Sequence, residues 1–282
     1  MRIAVAGATG VLGRAVVPRL IERGHTVHAM VRGESVSRLA AKPNLVFIRA
    51  DILAPDTLAP LVSGCQVVLH LATAIPRPGG ARDWAANDRV RREGTRNLIE
   101  SYQAAGGGRY VQQSVAMLHA GGGDAASDED APLKASPVLQ SALEMEEMVR
   151  GSGLRWIILR GGLFYGPGTD RMRDWNDAAR SGRLRIPGDG SDYVSLVHVE
   201  DMARAVVIAA ESSSAHAAFN IVDDRPVTYR ELFGHLAVLN GAKSPETGGA
   251  PLLESFRVSN ARARSVLGWA PRYPDYLSGW TL

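Results

Sequence analysis

Short apolar runs recur through the first half of the chain at 3–6, 26–31, 45–48, 67–71, 110–113 and 156–159, separated by stretches of helical length. Such alternation predicts parallel strands joined by helical crossovers. Residues 12–24 carry apolar positions at helical spacing and end on Gly24, a stop signal, although Pro18 inside predicts a kink or a helix held by its neighbours. Residues 93–105 and 139–149 read as further helices. The segment 121–137 is rich in Gly, Ala, Asp, Glu and Pro and reads as a mobile surface loop near the strand ends. Beyond Gly161 the alternation gives way to short pieces broken by Gly166-Pro-Gly168, Pro187-Gly-Asp-Gly190 and Gly248-Gly-Ala-Pro251. This predicts an α/β doubly wound parallel sheet over 1–160, and a smaller, discontinuous substrate lobe over 161–282. Strands near 194–197 and 219–222 are expected to return to the main sheet.

Composition narrows the function classes. The chain has 282 residues, 45% hydrophobic and 22% charged, as ordinary globular proteins do. A net charge of +3 is too small for a nucleic-acid-binding face, and the arginines at 89, 91, 92 and 96 read as a solvated face of one helix, the alternative being that they meet an acidic ligand. Cys65 is the only cysteine, which excludes an intrachain disulfide and a cysteine metal cluster, and no metal site is expected. No apolar run is long enough for a membrane span, and the start of the chain shows no export signal, so a cytoplasmic protein is expected.

Chemistry concentrates on the first strand-to-helix turn, Gly7-Ala-Thr9-Gly10-Val11-Leu12-Gly13. Glycines there let the main chain approach a pyrophosphate, whose charge faces a helix N-terminus. Arg32 follows the second strand where an NAD site commonly carries an acid, so NADP(H) is expected over NAD(H), the 2′-phosphate pairing with the guanidinium, with Arg38 as a possible helper. The alternative is that Arg32 is an exposed strand end. Asp51 and Ile52 are placed for the adenine, Leu71, Ala72 and Thr73 for the middle of the dinucleotide, and Gly161 at the end of the sixth strand for its far end. His70 reads as a packed strand residue.

Together with Gly94-Thr95-Arg-Asn97-Leu98, Leu159-Arg160, Tyr165-Gly166-Pro167-Gly168, His198-Val-Glu-Asp201 and Leu267-Gly268-Trp269, these motifs resemble the short-chain dehydrogenase/reductase superfamily, in its extended or atypical branch related to epimerases and dehydratases. The resemblance implies a small-molecule substrate, a homodimer through the helices at 93–105 and 139–149, and a catalytic Tyr-x-x-x-Lys pair on one helix face. Val138 and Ala142 stand where that pair falls, and neither can move a proton. Arg91 stands where the resemblance places an asparagine. Ser114 matches the family serine, or is structural. His119 and Tyr165 are the other catalytic candidates, Tyr193 lies on the lobe side, and His198 and Asp201 read as locks on a helix start.

Three functional readings follow. The first is an atypical NADP(H)-dependent oxidoreductase or epimerase on a small or glycosylated metabolite, with a nonstandard proton donor. The second is a non-redox cyclisation, dehydration or isomerisation, and the third a non-catalytic NADP(H) sensor. The covering lobe favours an enzyme.

Overall fold

The computed structural model describes residues 1–33, 39–76, 83–121, 125–250 and 252–281. The six expected strands form as β1 (Arg2–Ala6), β2 (Thr26–Val31), β3 (Leu45–Arg49), β4 (Val67–His70), β5 (Arg109–Val115) and β6 (Arg155–Gly161). Four more short strands, β7 (Leu163–Tyr165), β8 (Tyr193–Val194), β9 (Leu196–His198) and β11 (Val227–Thr228), belong to the lobe, and β10 (Ala217–Ile221) returns to the core. The main sheet has the order β10-β6-β5-β4-β1-β2-β3, every pair parallel. The strand order reverses between β1 and β4, which opens a crevice at the carboxyl ends where ligands of such sheets bind.

Alternate residues of each strand feed the two faces. Ile3, Val5, Val27, Leu69, Val111, Ile157 and Phe219 pack under α1 (Val11–Glu22) and α7 (Val199–Glu211). Ala4, Ala6, Val68, Tyr110 and Ile158 face α2 (Ala59–Val62), α4 (Thr95–Ala104) and α5 (Gln140–Gly151). α1 runs through Pro18 as one element, with the Arg19 guanidinium donating to the Ala15 carbonyl.

Several expectations are corrected. Residues 194–197 do not return to the main sheet: β8 pairs antiparallel with β11 and β9 pairs with β7, because their apolar side chains fill the lobe core around Tyr165, Trp175, Phe233 and Trp280. The helix expected from residue 93 starts earlier, as α3 (Ala85–Arg89), continues through a π-helical turn over Val90–Gly94 and runs into α4. Arg91 on that turn is buried rather than solvated, at 6% exposure. The segment expected to be mobile is tied to the C-terminal lobe, with Gly121 N–H donating to Ser255, Ser127 exchanging backbone bonds with Arg257 and Ser259, and Glu129 accepting from the Asn220 amide. α6 (Asp170–Arg180), α8 (Tyr229–Leu239), α9 (Ala261–Ser265) and α10 (Tyr276–Gly279) complete the lobe. Among the described residues no helix is long and apolar enough to cross a membrane.

Candidate active site

Gly7 adopts φ +89°, and a Cβ there would lie 2.6 Å from the Ala72 amide nitrogen. At Gly13 a Cβ would come within 2.2 Å of the Gly7 carbonyl. Only glycine permits this close turn, in which Gly10 N–H donates to Gly7 O and the Arg14 side chain holds the Thr9 carbonyl. α1 begins at Val11, Leu12 and Gly13 with no side-chain cap, so its first N–H groups face the crevice beside Leu71, Ala72 and Thr73. A backbone cradle with an uncapped helix N-terminus fits a dinucleotide pyrophosphate. Arg32 follows β2, is 67% exposed and lies 3.6 Å from the Asp51 carboxylate. Asp51 accepts from the Leu53 amide, and Ile52 is buried beneath Gly94. Gly161 ends β6, where a Cβ would press on Phe164 at 2.9 Å. Arg38 lies outside the described residues.

The parallel register sets Ser114, Arg160 and Asn220 side by side across β5, β6 and β10, on the face covered by α5. Glu146 descends from α5 onto this row. Its carboxylate accepts from Arg160 Nε at 3.0 Å and Nη2 at 2.7 Å, from Ser114 Oγ at 2.7 Å and from Arg150 at 3.2 Å. Glu146 and Arg160 are almost wholly enclosed, which makes their bidentate geometry the condition for burying either charge. Arg160 Nη1 lies 3.0 Å from Nε2 of His119, at the end of a 3₁₀ turn over Ala116–His119. A guanidinium can only donate, so Nε2 accepts and the imidazole carries its proton on Nδ1. Burial, reinforced by the Arg160 charge, pushes the His119 pKa down to about 4.

Each of the three catalytic candidates is already engaged within the protein. The Ser114 hydroxyl hydrogen is engaged by Glu146, and His119 is held neutral. Tyr165 is buried in the lobe, stacked on Trp280, and donates to the Asp275 carbonyl, with desolvation raising its pKa far above the ordinary phenol. Tyr193 lies in β8 under the Arg257 guanidinium. His70 packs against Tyr110 and Thr95, its pKa lowered by burial to about 4. His198 caps α7, and Asp201 accepts from the Arg272 and Tyr273 amides, as locks would.

At the head of α5 Val138 is partly exposed and Ala142 fully buried. Arg91 reaches this turn from the neighbouring helix, donating to Ser141 Oγ at 3.2 Å and meeting the Val138 carbonyl at 3.5 Å. Ser141 donates in turn to Asp88. Sequence reasoning missed Glu146, although it stands one helical turn after Ala142, and missed that Arg91 and Asn87 point inward; the buried positions 87, 91 and 95 at four-residue spacing were the available signal.

The pattern of the NAD dependent epimerase/dehydratase family matches residues 3–222. The chain belongs to that family. This member is 36% identical, over 99% of both chains, to a 3-diazoavenalumate denitrifying reductase from a Streptomyces species. It is also 30% identical to a UDP-glucose 4-epimerase of Mycolicibacterium smegmatis, over 96% of this chain and 94% of the other. Among solved structures, MoeE5 in complex with UDP-glucuronic acid and NAD superposes with a TM-score of 0.86 at 26% identity, covering 99% of this chain and 96% of that one. Relatives of this kind are NAD-dependent oxidoreductases, epimerases and dehydratases, and an enzyme is the reading they support for this member.

Proposed function

We propose that this protein is an NADP(H)-dependent reductase of a small molecule whose electrophilic centre takes a hydride without a proton from the protein, an arenediazonium being the class that fits best. The observation that carries the reading is the head of α5. Val138 and Ala142 stand where the resemblance implies an acid and its lysine, while Ser114, His119 and Tyr165 are each engaged elsewhere.

Gly7, Gly10 and Gly13 with the first turn of α1 would hold the pyrophosphate, Asp51 and Ile52 the adenine, and Arg32 the 2′-phosphate. A reduced nicotinamide held there would supply a hydride; with an arenediazonium the hydride would join the ring carbon as the C–N bond broke and its electron pair left with dinitrogen, so no proton would be called for. The residues of this chain act by orientation and by charge. A lysine ammonium about 5 Å from a cationic acceptor would oppose its binding by about 3 kcal/mol at an effective dielectric near 20, and Ala142 removes that repulsion. The name of the Streptomyces relative denotes a diazo compound and the loss of its nitrogen, which supports the same class of substrate.

The test supplies a stable arenediazonium salt and a set of ketones with NADPH deuterated at the transferring position. Expected are equimolar consumption of the reduced cofactor and release of dinitrogen, deuterium on the product ring, and little turnover of the ketones. Ketone reduction of comparable efficiency would overturn the proton-independent mechanism. Turnover without cofactor consumption would establish the non-redox reading instead, and nucleotide binding without any turnover the sensor.

A further inference from the structure

The helical run from α3 to α4 turns one face toward the end of β4. Asn87 Oδ1 accepts from the Ala74 amide at 3.0 Å, and two turns along Thr95 Oγ1 meets His70 at 3.3 Å. Arg91 lies between them in the run, on the π-helical turn, and is likewise buried. Its guanidinium reaches the first turn of α5, at the Val138 carbonyl and Ser141 Oγ.

Two groups at this spot keep donor capacity that the fold does not fully use. The Arg91 charge is buried, yet among the described residues its hydrogen bonds go only to a hydroxyl and a carbonyl, with no carboxylate in ion-pair contact; Asp88 attracts it from a distance and is itself engaged by Ser141. A buried cation without an ion-paired partner is costly to keep. One turn away the Asn87 side chain is fully buried, and its Nδ2 has no acceptor. A cationic fork at the head of α5, where the resemblance implies the proton-transferring pair, and a spare amide donor one turn away present donors for an anion.

We propose that Arg91 and Asn87 form a carboxylate-binding subsite that anchors the substrate by an acidic group remote from its reacting centre. The subsite deepens the hydride-transfer reading by making the substrate an aromatic acid, anionic at this end and electrophilic at the other. It replaces a catalytic proton relay at the head of α5 with a positioning cation supplied from the adjacent helix. The guanidinium also explains why Val138 and Ala142 can be apolar without leaving the crevice uncharged.

The experiment is calorimetric titration of the NADP⁺-saturated protein with benzoate and cinnamate and with their methyl esters, for the native chain and for Arg91→Met, Arg91→Lys and Asn87→Leu, with thermal unfolding of each. The native protein is expected to bind at least one acid and neither ester. Arg91→Met should weaken acid binding by about thirtyfold or more, the loss expected for a charge-assisted pair. Arg91→Lys should recover part of it, and Asn87→Leu should cost about fivefold. Cofactor affinity should be unchanged, and Arg91→Met should melt no lower than the native chain. Esters binding as well as acids, no acid binding, a loss of NADP⁺ affinity in Arg91→Met, or a lower melting temperature with acid binding intact would each overturn the subsite. None of these readings uses turnover, so a failure of the diazonium assay leaves the subsite standing, and a failure of the subsite leaves hydride transfer untouched.

Discussion

At the residue scale, the row Ser114, Arg160 and Asn220 with Glu146 and His119 is a fixed electrostatic unit. Arg160 satisfies Glu146 and sets the tautomer of His119, and Glu146 in turn orients Ser114. His119 and His70 both titrate near 4 because burial disfavours the imidazolium. In the unfolded chain each takes up its proton near the ordinary value of about 6.5, so between there and about 4 the unfolded state binds more protons. Stability from these two groups is therefore full above about pH 6.5 and is lost as the pH falls toward 4, by about 2 kcal/mol for each histidine at about pH 5. Urea unfolding of the native protein and of His119→Gln at about pH 7.5 and about pH 5 measures this. The variant, whose amide oxygen can still accept from Arg160, should lose about 2 kcal/mol less than the native chain over that interval. Equal losses in the two proteins would show that His119 is not held neutral. The sequence flagged His119 and Ser114 by type and position, but a loop histidine and a post-strand serine look the same whether solvated or buried; only the register of three strands distant in sequence reveals that both belong to the Arg160–Glu146 unit.

At the scale of elements, the β1 turn and α1 were fully legible, because strand, glycine turn and helix are local and their constraints lie within a dozen neighbouring residues. The contact that makes Gly7 necessary is with Ala72, at the end of β4, and the contact that makes Gly13 necessary is with Gly7 itself. Gly13→Ala places a methyl group within the van der Waals radius of two carbonyl oxygens, and the turn must open to relieve it. Titration with NADPH and NADH should show no measurable binding of either by this variant. Arg32→Ala in the same titration should retain NADH affinity and lose selectivity for NADPH by about tenfold or more, since an exposed guanidinium at the end of β2 can pair with a 2′-phosphate. Undiminished binding by Gly13→Ala would place the dinucleotide elsewhere, and unchanged selectivity would return Arg32 to the role of a strand end. The sequence places the arginines at 89–96 on one helix but bounds its apolar pattern only from residue 93, because the first turns are rich in charge and show no clean apolar stripe. Over its first turns the buried positions include Asn87, Arg91 and Thr95, polar residues that a hydrophobic period cannot detect, and the apolar core positions Leu98, Ile99 and Tyr102 come only later.

At the scale of the whole molecule, the division between core and lobe is not a division of the chain. β10 extends the main sheet beyond β6 although it comes after most of the lobe, and α7 covers the same sheet face as α1. Gly121, Ser127 and Glu129 are pinned from the other side by the lobe backbone at 255–259 and by Arg262. A fragment ending at residue 160 would keep the complete glycine turn and six strands, yet it would expose the edge of β6 and uncover Val111, Ile157 and Leu159, which the α7 side chains and Phe219 now bury. An uncovered edge strand and an open apolar face both favour association over folding. That fragment should therefore be aggregated or without a cooperative thermal transition, and should bind no NADPH, whereas the full chain should unfold in one transition that NADPH raises. Circular dichroism melting and size-exclusion chromatography of the two proteins decide the matter. A fragment that melts cooperatively and binds nucleotide would mean that α7 and β10 only decorate an independent core. Failure of the fragment would mean that the cofactor crevice and the substrate lobe are stabilised as one unit, so that contacts made by substrate in the lobe can be felt at α1 through α7, which packs on both α1 and β9.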